Sequence, residues 1–84
     1  MSFYCYLLEC ADGSYYCGWT TNLESRLKKH LAGEGSRYTR MKGPVRLVYF
    51  EEVENRRAAM QREHAIKKLP HCVKKAMAEK FTNG

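Results

Sequence analysis

The stretch Tyr4–Thr20, YCYLLECADGSYYCGWT, sets two aromatic-rich runs on either side of Asp12 and Gly13. Both runs have strand composition, and the Asp-Gly step between them signals a hairpin. The loop length decides what the hairpin presents. A two-residue loop would pair Ala11 with Ser14 and put Tyr6 and Tyr16 on opposite faces. A three-residue loop, Ala11 to Gly13 with Gly13 left-handed, moves the pairing by one residue. Tyr6, Leu8, Tyr16 and Gly18 then share one face, and Cys5, Leu7, Cys17 and Trp19 share the other. The three-residue loop is the reading adopted, with strands at Phe3 to Cys10 and Tyr15 to Thr20. Because the first strand is apolar or aromatic on both faces, the sheet is expected to be covered on one side and partly on the other.

Downstream, Thr21 to Glu24 has the form of a capping box, in which Thr21 and Glu24 satisfy each other's backbone donors. The helix that follows is predicted to run to about Ala32 and stop at Gly33. Leu23, Leu27 and Leu31 repeat every four residues as its buried stripe, with Arg26 and His30 as an adjacent one. A basic loop, GEGSRYTRMKG, leads through Pro44 into a third strand, Val45 to Phe50. Its incomplete alternation reads as a central, buried position. Asn55 is a candidate N-cap for a long helix that carries Glu63 and ends near Leu69, before Pro70. A last short helix covers His71 to Phe81. The order is β-β-α-β-α-α, an α+β fold with a three-stranded, mainly antiparallel sheet flanked by helices.

The chain has 84 residues, enough for one core, so residues 1–84 are read as a single domain. A hydrophobic fraction of 44% argues against wholesale disorder. No apolar run approaches the roughly 20 residues of a membrane span, and the N-terminus lacks a signal-peptide pattern. No membrane association and a cytoplasmic location are expected. Cys5, Cys10, Cys17 and Cys72 lack zinc-ligand spacing and are read as reduced thiols, three of them inside strands.

Formal net charge is +6, unevenly spread. Arg26 to Arg46 holds seven basic residues against Glu34 alone, and Lys67 to Lys80 holds five against Glu79 alone. Such asymmetry favours a polyanionic partner, nucleic acid first. In the loop, Arg37, Tyr38 and Arg40 interleave two cations with a ring, suited to a phosphate and a stacked base. The other reading of that loop is a lid that packs Tyr38 onto the core.

Two tyrosines on one sheet face, Arg26 and His30 on the next helix, and Glu63 on the long helix form an ordered set. This set resembles the GIY-YIG nuclease superfamily over nearly the whole chain. Tyr4-Cys5-Tyr6 looks like the first signature and Tyr16-Cys17-Gly18 like the second; KGPVRLVYFEE and REHAIKKL look most like its small stand-alone bacterial members. The resemblance implies a metal-dependent DNA endonuclease, structure-selective or non-specific, with DNA repair or recombination as its setting. Tyr6, Tyr16, Arg26 and His30 would be catalytic. Glu63 would hold one divalent cation, Mg²⁺ or Mn²⁺. Lys29, Arg37, Tyr38, Arg40, Lys67 and Lys68 would contact nucleic acid, DNA ahead of RNA. Which of Tyr6, Tyr16 or His30 is the general base stays open, as do oligomeric state and a protein partner.

The sequence departs from the superfamily pattern at Tyr4, where the name-giving glycine would be. It departs again at Trp19, where excision-repair members carry a lysine. The duller readings are strand packing for the tyrosines, a solvated face for Arg26 and His30, and an ion pair with Lys67 for Glu63. The alternative function is a nucleic-acid-binding or protein-interaction module with little or no cleavage.

Overall fold

The computed structural model describes residues 2–32 and 45–83. Strands β1 (Phe3–Cys10), β2 (Tyr15–Thr20) and β3 (Val45–Val53) and helices α1 (Leu23–Leu31), α2 (Arg56–Lys67) and α3 (His71–Asn83) follow the expected order. The sheet is antiparallel throughout, in the order β2-β1-β3.

The hairpin has the three-residue loop. Gly13 has φ +86°, its N–H donates to the Cys10 carbonyl at 2.9 Å, and the Cys10 N–H donates to the Ser14 carbonyl at 2.8 Å. Asp12 Oδ1 accepts from the Ser14 N–H at 3.0 Å and stiffens the turn. The resulting register pairs Tyr6 with Gly18 and Leu8 with Tyr16. Period-two alternation then puts Tyr6, Tyr16 and Gly18 on one face.

Both faces of the sheet are covered. On one, Cys5, Leu7, Cys17 and Val48 pack with Ala59 and Ile66 of α2 and Ala78 of α3. On the other, Tyr6, Leu8 and Cys10 pack with Tyr16, Leu47 and the α1 residues Leu23 and Leu27. Cys5, Cys10 and Cys17 are buried thiols outside any disulfide, as the sequence suggests; Cys72 is exposed. Among the described residues, no helix is long and apolar enough to cross a membrane.

Three expectations need correction. The cap of α1 is Asn22, whose side chain accepts from the Ser25 N–H at 3.0 Å. Thr20 Oγ1 accepts from the Asn22 N–H at 3.1 Å, which delays the helix by one residue and frees Glu24 to pair with Lys28. Leu31 is exposed, and His30 takes the inner position. Seven residues make nearly two turns, so His30 returns over Leu23 while Leu31 has drifted by about 80°. Finally, β3 lies at the sheet margin and β1 at its centre. The broken alternation of β3 comes from a register shift opposite Leu7 and Leu8, where Val48 is the additional residue.

Candidate active site

Gly18 lets the aromatic groups meet. A Cβ there would lie 2.6 Å from Tyr6 Oη, 2.8 Å from Tyr6 Cζ and 3.3 Å from Tyr16 Cε1. With hydrogen in that place, the Tyr6 ring crosses Gly18 toward the β2 margin and its hydroxyl reaches His30. Tyr6 Oη and His30 Nε2 are hydrogen-bonded at 3.2 Å, with the direction set by the imidazole tautomer. Tyr16 joins them: its ring centroid is 6.4 Å from Tyr6 and 5.4 Å from His30. Tyr6 and His30 are buried, whereas Tyr16 is partly open to solvent.

Burial sets the protonation of the inner pair. It pushes the Tyr6 hydroxyl well above the usual phenol range, the nearby Tyr16 adds to that, and the Arg26 charge partly offsets it. For His30, burial and then the Arg26 guanidinium lower the pKa, so the ring is neutral at neutral pH. Arg26 is itself exposed, one turn before His30, and its field reaches both groups.

Glu63 comes from the helix on the opposite sheet face. Two thiols hold that helix against the sheet. Cys5 donates to the Ala59 carbonyl at 3.0 Å, and Cys17 lies 3.7 Å from the Glu63 carbonyl, one turn later. Burial first, with smaller charge effects, pushes Cys5 up to about 11 and Cys17 to about 12, so both keep the proton they donate. This fixes the phase of α2 and brings Glu63 to the margin of β2, where its negative charge also acts on Tyr6. The Glu63 side chain is 24% exposed and pairs with Lys67 at 3.3 Å. The ion pair read as the duller alternative is therefore present. Among the described residues no group of three His, Cys, Asp or Glu converges as a metal cage. A single accessible carboxylate suits a hard cation that keeps most of its waters and does not suit zinc.

The structure thus gathers Tyr6, Tyr16 and His30 in direct contact, with Arg26 and Glu63 on either side. Lys29 does not join them; with Ser25 and Lys28 it lines a shallow depression on the outer face of α1. Lys67 is engaged by Glu63, and Lys68 is the exposed C-cap of α2. Arg37, Tyr38 and Arg40 lie outside the described residues. Sequence reasoning gave no signal for the contacts of His71, exposed at the start of α3: its Nε2 is 2.9 Å from the Gly13 carbonyl and its ring centroid is 5.1 Å from that of Tyr15. It also missed Arg62, which bonds Glu51 through two nitrogens at 2.8 Å and ties α2 to β3.

The family model described as the GIY-YIG catalytic domain matches residues 2–75, and the chain belongs to that family. A UPF0213 protein of Clostridium perfringens is 59% identical over 66 residues, covering 79% of this chain and 71% of its own. Another, from Haloquadratum walsbyi, is 48% identical over 80 residues, covering 95% and 90%. Two solution NMR structures share the fold. A protein from E. faecalis has a TM-score of 0.64 at 40% identity, over all of this chain and 90% of its own. A UPF0213 protein from Bacillus halodurans has 0.58 at 42% identity, over 94% and 84%.

Proposed function

We propose that this protein is a metal-dependent phosphodiester hydrolase acting on DNA, selective for structure or indifferent to sequence. The observation that carries the reading is the Tyr6–His30 pair with Tyr16 beside it, set between the Arg26 charge and the Glu63 carboxylate. Hydrolysis needs a water aligned with the phosphorus and positive charge near the phosphoryl oxygens. Tyr6 is buried and held protonated, so it serves as a hydrogen-bonding group and not as the base. Tyr16 is the member of the trio partly open to solvent, which supports it as the group that takes the proton of the attacking water. Neutral His30 orients the trio through Tyr6. Arg26 grips the scissile phosphate and stabilises charge that builds on it. Glu63 would hold one divalent cation, Mg²⁺ or Mn²⁺, whose chemistry is to neutralise charge on the phosphate and leaving oxygen.

The test is cleavage of labelled single-stranded, duplex and branched DNA, with an RNA control, in Mg²⁺ and then Mn²⁺. The parent is expected to cleave only with metal, and Glu63→Ala to lose at least about a hundredfold in rate. Equal cleavage by both would sink the assignment of Glu63. Preference for branched substrates would favour a role in repair or recombination.

The Glu63–Lys67 ion pair favours a second reading. If that lysine keeps the carboxylate, the same face binds nucleic acid without cutting it. Salt-sensitive binding by both proteins with no cleavage in either metal would select this reading.

A further inference from the structure

We propose that the cleft between Trp19 and the outer face of α2 is a subsite for one unstacked nucleotide of single-stranded or branched DNA, beside the scissile phosphate. The inference rests on the hydrolase reading for the identity of the polymer and adds where a flanking nucleotide sits. The cleft is open, about 730 Å³, and is walled by Trp19, Arg56, Arg57, Met60, Glu63 and His64. Its shared wall with Glu63 puts any occupant next to the candidate catalytic carboxylate.

The chemistry of the walls points to a base and a phosphate together. Trp19 packs on the core and lies 6.3 Å from Phe3, so its indole is a fixed platform. The Arg56 guanidinium sits over that indole, 5.5 Å from the ring centroid, which orients a cation whose hydrogen-bond donors can still grip an anion. Met60 is 52% exposed and gives the cleft an apolar floor where a base can pack.

A second observation concerns charge. Arg56 and Arg57 occupy the first turn of α2, which carries no acidic residue. The positive end of a helix disfavours cations there. Among the described residues neither arginine has a carboxylate partner, whereas Arg46 and Arg62 are held by Glu9 and Glu51 at 2.8 Å. A phosphate between Arg56 and Arg57 relieves that repulsion and is itself favoured by the helix end. A base inside a duplex is stacked on its neighbours, so a base that packs on Met60 beside the Trp19–Arg56 stack must be unpaired or splayed out.

Trp19 is the sole tryptophan, so its emission reports directly on the cleft. The experiment uses the full chain with Glu63→Gln to suppress turnover. It follows Trp19 emission with a short unlabelled oligodeoxynucleotide, and anisotropy with an end-labelled copy. Single-stranded DNA is expected to quench Trp19 with the midpoint seen by anisotropy, and duplex of the same sequence to quench it far less. Arg57→Ala, an exposed change away from the core, is expected to weaken binding about tenfold. Anisotropy that rises while emission stays constant overturns the subsite, as does an Arg57→Ala variant that binds like its parent. Stronger quenching by RNA of the same sequence overturns the assignment to DNA. DNA cleavage by the unmutated protein together with unmoved emission removes the subsite and leaves the hydrolase reading standing. Absence of both cleavage and anisotropy change removes both.

Discussion

His30 is a titratable ring enclosed by Tyr6, Tyr16 and the Arg26 charge, and that enclosure couples its proton to folding. In the unfolded chain a histidine titrates at about 6.5, and in the folded protein burial and Arg26 lower the value. Between the two values the unfolded chain binds a proton that the folded protein refuses. The stability owed to neutral His30 is therefore complete above the unfolded value and is lost as pH falls through the folded one. Urea unfolding at a series of pH values should show this loss in the parent and a smaller loss in His30→Gln. Identical pH profiles would remove His30 as the group responsible. The inward position of His30 was half legible, since its pairing with Arg26 follows from helical spacing. Its burial was not, because the four-residue leucine repeat drew attention to Leu31. The contact of His71 with the Gly13 carbonyl spans 58 residues, and no local pattern signals such a partner.

At the scale of elements, α2 matters because it carries Glu63, and its start is set by one side chain. Asn55 Oδ1 accepts the Ala58 N–H at 2.8 Å from extended backbone, as its sequence position suggests. Asn55→Ala should cost about 1 kcal/mol, and Asn55→Asp much less. For a domain of this size that corresponds to a fall in Tm of roughly 4–8 °C. A calorimetric scan that found Ala and Asp variants equally stable would show the cap to be idle. Asn55 was legible because an N-cap is a local device. Thr21 was misread because the Thr20 hydroxyl competes for the same backbone and shifts the cap to Asn22. The hairpin register turned on the loop length: a two-residue Asp-Gly loop of type I′ needs positive φ at Asp12 as well, and among the described residues Gly13 alone has it. The placement of β3 at the margin did not follow, because a bulge and a buried strand give the same broken alternation in sequence.

Across the whole molecule, net charge of +6 and the arginines at the β2 margin predict how nucleic acid should respond to salt. Arg26 stands on one side of that margin, and Arg56, Arg57 and the exposed Lys68 on the helix covering the other face. If these groups together neutralise three or four phosphates of a single strand, the log–log salt slope should be about −2 to −3. The order of charges makes the prediction sharper than net charge alone. Arg46 and Arg62 are neutralised by Glu9 and Glu51 and should leave the slope unchanged when replaced. Arg56→Ala with Arg57→Ala should reduce the slope by about 0.7, because the one phosphate the two arginines share is lost. Anisotropy titrations across a range of KCl concentrations measure both quantities. A slope near zero would mean that the basic margin does not face a phosphate backbone. An equal loss on replacing Arg46 would mean that total charge, and not this arrangement of cations around β2, draws the polymer in.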